Sequence, residues 1–114
     1  PDLSEALMDF WHRSGHPSAL WCCNDDIARQ AIDILRGNGV AVPEEVVVLG
    51  FDGLPQPGMP VPAWPSIKMP FRELGELAVT LLDKVHSSGI APKQMNYELK
   101  ASVSGAGLIP ERKP

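Results

Sequence analysis

The stretch Val46-Val47-Val48-Leu49-Gly50-Phe51-Asp52-Gly53 constrains this chain more than any other. Four consecutive β-favouring apolar residues read as a strand buried on both faces, the pattern of a parallel sheet. The strand ends in a glycine, an aromatic ring, a carboxylate and a second glycine. A shorter apolar run, Ala19-Leu20-Trp21-Cys22-Cys23 within Ser18 to Cys23, stops at Asn24-Asp25-Asp26. Between the two runs, Ile27, Ala28, Ala31, Ile32 and Leu35 recur at helical intervals. A helix joining two strands of one sheet is a crossover, and a crossover makes those strands parallel. The expected fold class is therefore α/β with a parallel sheet. If the two strands pair as neighbours, both polar tips lie along one sheet edge, where open α/β sheets bind ligands. Asn24, Asp25 and Asp52 are the leading binding candidates on that ground.

The remaining chain supplies the cover. Pro1 to Ser14 predicts a first helix, capped by Ser4, with Leu7, Met8, Phe10 and Trp11 on its apolar face and Gly15 as its stop. The crossover helix runs from Asn24 or Asp25 to about Arg36 and ends at Gly37-Asn38-Gly39. Pro55, Pro57, Pro60, Pro62 and Pro65 fall within twelve residues, a density that no helix or central strand tolerates. Ser66 to Met69 predicts a short strand. Pro70 suits the first position of a helix, and Leu74, Leu77, Ala78, Leu81, Leu82 and Val85 give that helix a broad apolar stripe. Asn96 to Ser104 alternates as a half-exposed strand. The expected division is one domain over 1–104 and a tail over 105–114. About four strands are too few to cover the stripe and both sheet faces, so the natural core is expected to include a further segment or another copy of the chain.

Composition sets limits on function. The net charge is −4 over 114 residues and no basic run occurs, whereas gripping nucleic acid takes clustered Lys and Arg. No long apolar span or signal peptide is visible. Cys22 and Cys23 read as two small buried hydrophobes. With His12, His16 and His86 scattered, no metal-ligand spacing arises, and nothing requires an oxidising compartment. Asp25, Asp26 and Asp52 could be imagined as an acid–base set or a Mg²⁺ site. No nucleophile–base pair or phosphate loop supports this, so neither a catalytic group, a metal nor a cofactor is expected. Trp21, in mid-strand, is expected in the core, whereas Phe51 and Trp64 are candidates to stack on a ligand.

Three segments together resemble the effector-binding region of LacI/GalR-type bacterial transcription regulators: Ser18 to Asp25, Gly39 to Asp52, and Pro65 to Gly75. The resemblance covers roughly Pro17 to Val103. It implies the carboxyl-terminal part of a type I periplasmic-binding-protein-like fold, here an incomplete Rossmann-like sub-domain. It also implies a sugar-like or nucleobase effector held by Asp52, Asn24, Asp25, Phe51 and Trp64. A homodimer through Arg29, Leu54 and Pro60 follows in the same way, as does a cytoplasmic protein that reads DNA through a helix-turn-helix outside this sequence. Periplasmic sugar- and solute-binding proteins share the fold and are the alternative; Val42-Pro43-Glu44-Glu45 looks more like the regulators. The final strand departs from the pattern: Ala101-Ser102-Val103-Ser104-Gly105 stands where an Arg and a polar cluster are usual.

Overall fold

Strand β2 (Val47–Asp52) lies between β1 (Ala19–Trp21) and β3 (Ser66–Lys68), parallel to both, in a computed structural model that describes residues 2–55, 57–59, 62–94 and 96–111. Ala19 pairs with Val47 and Trp21 with Leu49; Gly50 pairs with Ser66 and Asp52 with Lys68. A short β4 (Ser102–Ser104) completes the order β1-β2-β3-β4. Two compact units result, Pro1–Lys68 with Val103–Pro114, and Met69–Ser102.

The core of the first unit lies on one side of the sheet. Helix α1 (Leu3–Arg13) contributes Trp11, and α2 (Asp25–Gly37) contributes Ala28, Ile32 and Leu35. These pack with Val40, Val42, Val46, Val48 and Trp64. Alternation along β2 then decides the rest: Val48 and Gly50 are buried, while Val47, Leu49 and Phe51 on the other face are only half-buried. The strand expected to be buried on both faces is thus covered on one. Trp21 differs from expectation for the same reason. It shares the open face with its partner Leu49, is 72% exposed, and meets Phe51 at a ring distance of 6.5 Å. Cys22 is half-buried against the core but Cys23 is exposed, so only one of the two thiols behaves as a buried hydrophobe.

Asp2, not Ser4, caps α1, accepting a hydrogen bond from the Glu5 N–H; the helix begins one residue ahead of the expected cap. In the second unit, α3 (Phe71–Ser88) extends past Val85 to a left-handed Gly89 and buries none of its residues. The apolar stripe on α3 lies open, with Leu82 69% exposed. Of the strand expected over Asn96–Ser104 only Ser102–Ser104 forms. Among its described residues the tail carries one 3-10 turn, Ala106–Leu108. No helix of the described residues is long and apolar enough to cross a membrane.

Candidate functional site

Parallel pairing brings two polar tips to one edge. The Cys22 N–H donates to the Leu49 carbonyl (2.8 Å), so the β1–β2 pairing holds to within two residues of Asn24 and three of Asp52. Asn24 caps α2: its Oδ1 accepts from the Ile27 N–H at 2.8 Å, and among the described residues no hydrogen bond takes up its amide nitrogen. Asp52 closes β2 at a φ of +99°, a conformation that few side-chain-bearing residues adopt. Among the described residues nothing hydrogen-bonds or ion-pairs with its carboxylate, which is half-buried. Phe51 lies beside it on the open face.

Asp25 and Trp64 are placed differently from the sequence expectation. Asp25 is 2% exposed and turned inward. Its Oδ1 accepts from Trp64 Nε1 (3.0 Å) and Ser66 Oγ (2.7 Å), and its Oδ2 accepts from the Gly53 N–H (2.9 Å). Trp64 is itself 4% exposed, a core ring whose polar edge is spent on Asp25. A carboxylate at the start of a helix is favoured by the peptide dipoles, and three charge-assisted hydrogen bonds offset its desolvation. Gly50 makes room: a Cβ there would overlap Asp25 Oδ1 and lie 2.7 Å from Trp64 Nε1. Ser66, wholly buried, and Gly50 are the members that sequence reasoning missed. The only hint was a small hydroxyl residue opening a short strand straight after Trp64-Pro65.

Of the residues expected at a dimer contact, Arg29 and Leu54 are described. Arg29 is half-exposed and held by Asp26 (3.1 Å) and Asp33 (3.6 Å) on its own helix. With Asp26, Pro57 and Met59 it lines a concavity of about 480 Å³. Leu54 is 47% exposed; Pro60 lies outside the described residues. A separate cavity of about 220 Å³ opens behind Trp64, walled by Ile32, Val42, Val48 and Leu108, with Arg36 among its lining residues. Among the described residues no three or more His, Cys, Asp or Glu side chains gather where a metal ion could be held.

The fold defines a class that known proteins share. The profile of the periplasmic binding protein-like domain matches residues 2–104, and the chain belongs to that family. Its relatives include LacI-type regulators. The HTH-type transcriptional repressor PurR of Aliivibrio fischeri is 33% identical over 93 residues, 77% of this chain and 28% of that protein. A LacI family regulator from Arthrobacter sp. FB24, solved in complex with lactose, superposes with a TM-score of 0.73 at 28% identity, over 88% of this chain and 37% of that one. A dimeric Lac repressor gives 0.70 at 29% identity, over 88% and 36%. The chain thus spans between a quarter and two fifths of the length of these proteins.

Proposed function

We propose that this chain is the effector-sensing and dimerising portion of a LacI-type transcription regulator. In the intact protein it would bind a sugar-like effector between Asn24 and Asp52, and a helix-turn-helix elsewhere in that protein would read DNA. The observation that carries the proposal is the unengaged Asp52 carboxylate, held at the same sheet edge as the Asn24 amide. An ionised carboxylate offers acceptors only, and an amide nitrogen offers donors. Together they suit hydroxyl groups, which need both.

Phe51 would give such a ligand an apolar face to rest on. Asp25 and Trp64 act on this reading from behind the rim rather than by contact. Arg29, Leu54 and Pro60 would meet the partner subunit, and the protein would work in the cytoplasm without catalysing a reaction. Effector binding would shift the dimer's arrangement by the difference in its affinity for two states. The relatives are transcription regulators, which favours this reading over an exported solute-binding protein.

Calorimetry of the intact protein with lactose, simple hexoses and purine bases tests the proposal. A member of that set should bind, and Asp52→Ala should weaken it at least about tenfold, the cost of one charged hydrogen bond. Binding that ignores the substitution would overturn the assignment. Sedimentation of the same protein should show a dimer at micromolar concentration, and a monomer would count against a regulator.

A further inference from the structure

Asp52 holds its position against a backbone preference. Its φ of +99° is unfavourable for a residue with a Cβ, so something in the surroundings must hold the Asp52–Gly53 peptide. Two contacts do so. A Cβ on Gly53 would lie 2.9 Å from Lys68 Cα, so this corner is pressed close against β3. From the opposite element, the buried Asp25 Oδ2 accepts the Gly53 N–H at 2.9 Å.

We infer that Asp25 is a positioning residue for the proposed ligand site: its carboxylate clamps the Gly53 amide and so holds Asp52 in its strained conformation. The clamp joins the residues that directly follow the two candidate ligand contacts, since Asn24 precedes Asp25 and Asp52 precedes Gly53. One buried group therefore fixes the start of α2, the end of β2 and, through Trp64 and Ser66, the approach to β3. The inference rests on the proposed role of Asp52, but the clamp itself is read without any ligand.

The division of labour between the two oxygens makes the clamp separable from packing. In Asp25→Asn the amide can keep its oxygen on Trp64 and Ser66, which turns its NH2 toward the Gly53 N–H, donor against donor. Flipping the amide would restore Gly53 but set the NH2 against the Trp64 N–H. Gly53 is therefore released. Adding Trp64→Phe removes the opposing donor, so the amide can flip, accept from Gly53 and donate to the Ser66 hydroxyl. A second substitution in the core should thus repair what the first one broke.

The experiment is hydrogen exchange and proton chemical shift of the Gly53 amide by NMR on the ¹⁵N-labelled full chain, beside thermal unfolding of each variant. Asp25→Asn should speed Gly53 exchange by about tenfold or more, and Asp25→Asn/Trp64→Phe should return most of that protection although it is less stable. Trp64→Phe alone leaves fewer donors on the carboxylate, so the Gly53 proton should move downfield. Unchanged exchange in Asp25→Asn, or a double variant no better protected than the single one, overturns the clamp. If Asp25→Asn does not fold, the shift in Trp64→Phe decides: no movement, or movement upfield, overturns it. Failure of every sugar and purine base in the calorimetric series to bind would instead refute the ligand assignment while leaving the Gly53 result intact.

Discussion

Gly50→Ala is a small change with a large expected consequence. The new methyl group would overlap Asp25 Oδ1 and stand 2.7 Å from Trp64 Nε1 and 3.1 Å from Trp64 Cδ1. Neither neighbour can step aside without cost, because Asp25 is the first residue of α2 and Trp64 is 4% exposed. Overpacking a tight interior costs about 1–3 kcal/mol. Losing one hydrogen bond to a buried charge adds about 1.5–3 kcal/mol. The sum, about 2.5–6 kcal/mol, is a large share of the roughly 5–15 kcal/mol that holds a domain together. Gly75→Ala is the matched control: the same methyl group within α3 meets nothing within 4 Å. Removing a helix-interior glycine there should stabilise the chain by up to about 1 kcal/mol. Urea denaturation of both variants against the unsubstituted chain reads the two effects with opposite sign. A Gly50→Ala variant within about 1 kcal/mol of the parent, below the overpacking range alone, would refute the tight cluster around Asp25.

Three further outcomes follow from single residues. Leu35→Ala empties a fully buried position where α2 meets the sheet, and should cost about 2–5 kcal/mol in the same assay. Asn24→Asp keeps the acceptor that caps α2 but removes the amide donor, so unfolding should hardly change while calorimetry shows effector affinity lost; equal affinity would make Asn24 a cap and nothing more. Burial, and secondarily the neighbouring Cys23, push the Cys22 thiol up from its ordinary value. Its neutral form is thus favoured by folding, and the associated stability is present below the unfolded thiol's pKa and lost as pH rises through the folded value. Stability measured by denaturation should fall less steeply from neutral to alkaline pH in Cys22→Ala than in the parent, and iodoacetamide should label the exposed Cys23 first.

Much of the first unit was legible because backbone chemistry announces itself. A run of β-branched residues ended by glycine, a helical repeat from Ile27 to Leu35 and a cap at Asn24 led to the parallel pair and its shared edge, all found in the structure. What periodicity could not reveal was which face of the sheet is covered. Trp21 is apolar and central in its run, yet it belongs to an edge strand on the open face, so its exposure depends on the neighbours present. The inward turn of Asp25 was hidden for a different reason. A carboxylate beside a cap normally faces water; here Gly50, Trp64 and Ser66, 25 to 41 positions further along the chain, form a polar nest that only the folded register assembles. Of the strand expected over Asn96–Ser104 only Ser102–Ser104 forms, because alternation of side chains is necessary for a half-buried strand but does not by itself supply a partner.

The most direct test is a crystal structure of the intact protein with the tightest-binding sugar or base from the calorimetric series. A ligand polar atom within hydrogen-bonding reach of both the Asp52 carboxylate and the Asn24 amide is the expected result. A ligand seated instead behind Trp64, among Ile32, Val42 and Arg36, with the β2 rim empty, would contradict it.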